Sequence, residues 1–177
     1  MFESFLIRYS IMIKKAGVYM FRKIRKVKNE LSMEDSQKIL EKSPRGVLAL
    51  NGDEGNPYGL PLNFYYDRDL NQIYFHGTKT GYKIDCIEKS PKASFTAIIE
   101  EGVSEDGWSM NTSSVIAYGL VEKIEDPDFA KEAMIKLAGK YYPNRELIFE
   151  NMEASFKNTK MLVFHIKHMS GKKVNER

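Results

Sequence analysis

Eight consecutive residues, His76-Gly77-Thr78-Lys79-Thr80-Gly81-Tyr82-Lys83, bring together an imidazole, two threonine hydroxyls, two glycines and two ammonium groups. They follow a strand-like run and open into a helix-like one. With Thr80 as the cap of that helix, Lys83 falls near its third position, where the helix dipole disfavours a cation. Lys79 lies four residues earlier and adds like charge. The first-turn amides are donors without acceptors. A bound phosphate would relieve all three problems at once. The bland alternative is that water solvates both lysines and satisfies the amides.

Other residues offer chemistry on weaker grounds. His76, at a strand end, is the natural proton donor near neutral pH, and a lone histidine there also serves as an ordinary structural or surface residue. Asn63 lies in an apolar run, where an amide needs a partner; a ligand edge or the backbone would each supply one. Tyr65 and Tyr66 read as core or interface aromatics. Trp108, the sole tryptophan, suits either covering a ring-shaped ligand or filling a dimer contact. His165 and His168 have opposite strand parity and so cannot share a metal on one face, and no third ligand is in view. Cys86 sits in a helical pattern beside Ile84 and Ile87, as an inert buried thiol would. Ser113 and Ser114 lack a nucleophile-elbow pattern, which argues against serine hydrolysis.

The surrounding elements can be read from caps, breakers and periodicity. Ser32 caps a helix that runs to about Lys42 and is broken by Ser43-Pro44. GVLALN (46–51) is a short buried strand followed by a turn. Residues 57–66 form a long apolar run in which Pro57 and Pro61 remove two ladder donors, so this strand is at an edge, bulged, or both. Strands are expected at 72–75, 92–99, 114–124 and 161–168. Residues 100–112 read as a long acidic loop. Helices are expected at 80–89, after Asp126-Pro127, where Phe129, Ala133, Met134, Leu137, Ala138 and Tyr141 share a face, and at 145–156. About six strands with turn signals at hairpin spacing favour a small antiparallel barrel with peripheral helices over a doubly wound sheet.

Composition bounds the possibilities. A chain of 177 residues, 42% hydrophobic and 29% charged, suits one globular core. No apolar run approaches the ~18 residues of a membrane helix. The single cysteine excludes an internal disulfide and a cysteine-based zinc site, and fits a reducing, cytoplasmic setting. The net charge of +3 is uneven. Residues 1–30 hold eight Lys/Arg against Glu3 and Glu30, leaving 19 basic and 22 acidic residues to the rest. The folded part therefore lacks the basic excess of a nucleic-acid footprint, although the basic arm alone retains that option, or a membrane surface. Residues 1–21 are expected to be an N-terminal extension, with natural translation starting at Met20, and residues 22–177 one domain.

Four stretches, PYGLPLNFYYD, IYFHGTKTGYKID, SPKASF and GWSMNTSSVIAYGLVEKIED, occur in this order. Over residues 22–168 the chain resembles the FMN-binding split-barrel proteins related to pyridoxamine 5′-phosphate oxidase, closest to the nitroimidazole-resistance branch. The resemblance implies a mainly β (α+β) fold, a six-stranded antiparallel Greek-key split β-barrel with peripheral helices. It also implies a homodimer with FMN at the interface. Leu62, Asn63, His76, Gly77, Thr78 and Lys83 would be the first FMN contacts, with Tyr82 and Ser114 next, Ser114 reaching across the dimer. Thr78 replaces a small apolar residue frequent in relatives and would add a phosphate hydroxyl. Asp106-Gly107 stands where many relatives carry a cysteine. The basic C-terminal pattern of pyridoxamine phosphate oxidation is not evident. The expected activity is FMN-dependent reduction of a small acceptor such as a nitroaromatic or quinone-like compound, with His76 as catalytic proton donor. The alternatives are a non-catalytic flavin-binding or sensing module, or the same barrel holding heme or a deazaflavin.

Overall fold

A computed structural model describes residues 21–176; the expected extension and the start at Met20 lie outside them. Seven strands form one antiparallel sheet in the order β2-β1-β5-β6-β7-β4-β3. They are β1 (Gly46–Asn51), β2 (Pro57–Leu62), β3 (Tyr65–Asp67), β4 (Gln72–Thr78), β5 (Lys92–Val103), β6 (Met110–Lys123) and β7 (Thr159–Glu176). Among the described residues four α-helices accompany them: α1 (Met33–Lys42), α2 (Tyr82–Lys89), α3 (Pro127–Tyr141) and α4 (Arg145–Phe156).

The antiparallel, mainly β expectation holds, with two corrections. There are seven strands rather than six, and the sheet is open. Both follow from the 57–66 run, which breaks at Asn63-Phe64 into two short strands with different partners. β2 pairs only with β1, and β3 only with β4. These are the two edges of the sheet, yet two residues separate them in sequence. At ~3.5 Å per residue the edges are therefore held within about 10 Å. The sheet must curl round to bring them together, and the seam between them has no ladder. Pro57 and Pro61 are tolerated because β2 is an edge.

The long acidic loop expected at 100–112 is also shorter than that. β5 and β6 continue through it as a hairpin, with a register shift between Glu100 and Gly102, and only residues 104–109 turn. β7 extends well past His168, because its polar second half pairs with β6 out to Glu176. α2 begins at Tyr82 behind Gly81, whose φ of 112° suits glycine, and has no side-chain cap. Ser32 and Asp126 do cap α1 and α3, accepting from Asp35 N at 3.0 Å and Phe129 N at 2.8 Å.

Alternation along β4 and β7 serves two cores. Ile73, Phe75, Leu162 and Phe164 point into the curled sheet with Leu48, Phe95 and Val115. Tyr74, Met161 and Val163 point outward and are covered by Ala130, Ala133, Met134 and Leu137 of α3. Among the described residues no helix is long and apolar enough to cross a membrane.

Candidate functional site

The seam positions the site. β3 pairs with β4 only from Gln72 to Tyr74, so Phe75 to Thr78 keep one edge of β4 without a strand partner. Unpaired backbone groups at a sheet edge can pair with whatever docks there. The sequence places His76, Gly77 and Thr78 on this stretch and starts α2 four residues later.

Strand parity then separates the expected site residues. Gly77 faces the side of the curled sheet where Lys83 lies. A Cβ on Gly77 would stand 2.2 Å from Lys83 Nζ, so glycine makes room for that ammonium. Lys83 Nζ donates to the carbonyl of His76 at 3.4 Å. Among the described residues no carboxylate lies within ion-pair distance of Lys83, and burial pushes its pKa down. A half-buried cation with one long bond to a neutral acceptor is poorly compensated. The amides of Tyr82 and Lys83 open α2 and have no intrahelical acceptor, whereas Ile84 N and Asp85 N donate to Gly81 O. Two first-turn amides and one ammonium make a donor set that fits a phosphate monoester. Thr78 does not join it in this arrangement, because its hydroxyl donates to Thr80 O at 2.7 Å. Thr80 contributes that carbonyl rather than a helix cap.

His76 points the other way, into a cleft of about 740 Å³. Asn63, His76 and Thr159 form one wall; Met134, Leu137, Tyr141, Leu147 and Ile148 of α3 and α4 form most of the other. The imidazole is pushed below its ordinary pKa, first by loss of hydration and then by the Lys83 ammonium across the strand. It is therefore mainly neutral at pH 7. Asn63 sits at the corner between β2 and β3, not within a strand. Its Oδ1 accepts from Arg45 Nε at 3.2 Å, which leaves Nδ2 as a donor at the cleft wall.

The corner is fixed from behind by two residues whose side-chain roles the sequence did not reveal. Tyr141 Oη accepts from Phe64 N at 2.8 Å and offers its proton to Pro44 O at 2.7 Å, with Phe64 O at 2.9 Å. Lys140 Nζ lies 3.9 Å from the centre of the Phe64 ring and donates to Ser43 O at 2.8 Å, near the end of α1. The apolar face of α3 included Tyr141, but its hydroxyl's target is 77 residues away in sequence. No periodicity carries that information.

The remaining candidates lie apart from the cleft. Leu62, the last residue of β2, packs against the inner core. Tyr82 turns to the β1–β2 turn, where its hydroxyl accepts from Asp53 N at 2.7 Å and its ring lies 4.7 Å from that of Tyr58. Ser114 pairs with Lys172, whereas His76 pairs with Met161, so the two serve opposite ends of β7. Trp108 is 80% exposed at the tip of the β5–β6 hairpin. Cys86 is buried. His165 bridges Gln72 and Glu122, at 3.2 and 2.8 Å, while His168 stacks on Phe21 with ring centres 4.5 Å apart.

An antiparallel sheet curled round one open seam is the architecture of the split-barrel class. Residues 32–173 match the family described as pyridoxamine 5′-phosphate oxidase, and the chain belongs to that family. No curated protein matches the sequence. Several solved structures share the fold. A candidate 5-nitroimidazole antibiotic resistance protein from Bacteroides thetaiotaomicron is 22% identical with a TM-score of 0.70, over 83% of this chain and 87% of that one. The flavocytochrome Anf3 from Azotobacter vinelandii is 20% identical with a TM-score of 0.70, over 85% and 72%. A FAD-binding protein from Mesorhizobium loti is 19% identical with a TM-score of 0.62, over 82% and 96%.

Proposed function

We propose that this protein is a flavoprotein oxidoreductase that holds FMN along the seam and works as a homodimer. The observation that carries the reading is the Lys83 ammonium, half-buried without a carboxylate and set beside two free helix-start amides. The phosphate of FMN would dock there. The ring would lie along the unpaired edge of β4, within reach of Asn63 and His76. Gly77 keeps the phosphate cation in place, and Leu62 supports the corner from the core side. Flavin supplies one- and two-electron transfer when bound; the chain supplies position, exclusion of water and a proton. Neutral His76 orients the acceptor and, once protonated, donates at the cleft wall. The acceptor is a nitroaromatic or quinone-like compound. Tyr82 and Ser114 contribute less within one chain, and Ser114 would reach a flavin only from the partner copy. The fold-sharing FAD-binding and flavocytochrome structures support a flavin, with FMN preferred here because the proposed phosphate corner suits a monoester.

An absorbance spectrum of the purified protein tests this directly. Bands near ~450 and ~370 nm are expected from the flavin itself, with FMN identified after denaturing release. Lys83→Ala should weaken FMN retention ~10- to 100-fold, the range of a charge-assisted hydrogen bond. Colourless protein that stays colourless on adding FMN would reject the reading. Reduction of the bound flavin by NADH or NADPH, followed by reoxidation with candidate acceptors, separates an enzyme from a passive flavin carrier.

A further inference from the structure

Resting on the flavin reading above, we infer that the cleft on the His76 side, which adjoins the proposed position of the ring, binds a neutral, planar, apolar acceptor and rejects anionic ones. Its volume of about 740 Å³ falls within the ~300–1,000 Å³ usual for small-molecule sites. Among the described residues no lining side chain is a lysine, arginine or carboxylate, and the one titratable base, His76, is pushed below its ordinary pKa by lost hydration and by Lys83. The wall built by Met134, Leu137, Leu147 and Ile148 is apolar. Polar side chains at its far end are already committed. Asn144 Oδ1 accepts from Glu146 N and Leu147 N at the start of α4, and Asn151 Nδ2 donates to Leu147 O at 2.7 Å.

What remains for a ligand is therefore asymmetric. One end presents two groups able to hydrogen-bond, the Asn63 amide fixed by Arg45 and the His76 ring. The rest is mainly hydrocarbon, with Tyr142, Asn144, Asn151 and Thr159 among its polar side chains. A flat ring system with a carbonyl or nitro oxygen at one edge satisfies both. Its oxygen meets Asn63 Nδ2, and its rings displace water from the α3–α4 wall. A sulfonate or carboxylate on the ring would be buried among apolar groups, with no cation among the described lining residues, at a heavy desolvation cost. The half-buried Lys83 ammonium lies on the other face of β4, while Arg45 is engaged by Asn63 Oδ1 and Lys140 by the Ser43 carbonyl. The two faces of one strand thus sort by charge: the anionic group of the cofactor on one side, the uncharged acceptor on the other.

The test uses the flavin-loaded protein and two probes of nearly the same shape, 2-methyl-1,4-naphthoquinone and 1,4-naphthoquinone-2-sulfonate. Binding is measured by equilibrium dialysis without reductant. The neutral probe should bind at least tenfold more tightly than the sulfonate. Ala138→Trp, which fills the cleft from α3, should weaken the neutral probe at least tenfold while the flavin absorbance per chain stays constant. Leu147→Lys places a positive charge at an exposed position of the same wall and serves if the tryptophan variant does not fold; it should narrow the preference for the neutral probe to less than threefold. Equal binding of the two probes, or variants that leave both affinities within twofold, overturns the assignment. If the protein takes up no flavin but keeps the probe preference and its loss in the variants, the cofactor reading fails and the cleft stands.

Discussion

The two halves of the sheet follow the same alternation yet end differently on their outer faces. On the β4–β7 half, Tyr74, Met161 and Val163 point outward and are sealed by α3, with exposures of 0%, 1% and 3%. On the β1–β5–β6 half, Val47, Ile98 and Ile116 point outward from cross-strand neighbours and are 42%, 54% and 39% exposed. Phe21 covers part of the rim by stacking on His168 and approaching Tyr118. Among the described residues α3 covers the outer face of the first half, whereas α1 and α2 pack into the inner core. Apolar side chains clustered on a bare sheet face mark an interaction surface, and a second copy of the same face is the simplest cover. The covered half makes the cleft; the bare half is where the proposed dimer would form.

The sharpest way to break this comparison is to charge the bare face. The double change Ile98→Glu and Ile116→Glu leaves the inner core untouched but sets four carboxylates into the proposed interface. We expect the dimer to weaken at least ~1,000-fold, about 4 kcal/mol, seen as a halved mass in light scattering. A mass unchanged from the parent, or a parent that is already monomeric, removes the dimer. The matching change on the covered half is Leu137→Ala. Leu137 is 4% exposed beneath α3, and its truncation should cost ~2–5 kcal/mol of unfolding free energy in denaturant titration with no change of mass. A loss below ~1 kcal/mol would mean that α3 is not held by this face.

Smaller effects sharpen the picture near the cleft. His76→Ala should slow acceptor reduction ~100-fold while flavin occupancy is retained, the usual size of one general acid's contribution; undiminished turnover ends its proton role. The last effect concerns Lys140. Burial pushes its pKa down to about 8, while the Ser43 carbonyl and the Phe64 ring favour the charged form and limit that drop. An unfolded lysine titrates near about 10.4. Below the folded value both states are protonated and the penalty for burying the charge is in full force. Between about 8 and about 10 the unfolded chain binds more protons, so stability should rise with pH. Lys140→Met should flatten that rise, measured as thermal midpoints across the window.

Much of the architecture was legible in the sequence because its signals are local. Ser32 and Asp126-Pro127 mark two helix starts by capping chemistry that needs no tertiary context. Pro57 and Pro61 announce an edge strand because they remove ladder donors wherever they sit. The family likewise followed from the order of short motifs. What escaped was non-local. The break at Asn63-Phe64 looks like continuous strand, since both flanks are apolar, and only pairing with β1 on one side and β4 on the other splits it. The 104–109 turn was overestimated because acidic residues in a long hairpin are compatible with a strand whose outer face is solvated. Ser114 sits in the right motif, yet its register opposite Lys172 takes it to the far end of β7 from His76.

By itself the sequence determined the composition of the proposed phosphate corner: glycines and threonines at a strand end, and a lysine at the start of a short helix. Those are properties of neighbours within eight residues, and chain connectivity suffices to bring them together. Only the tertiary structure decided that His76 and Lys83 lie on opposite faces of one strand, that Arg45 and Tyr141 fix the corner, and that Val47, Ile98 and Ile116 stay exposed on one half of the sheet. Each depends on register and curl, which are set by the packing of residues far apart in the chain.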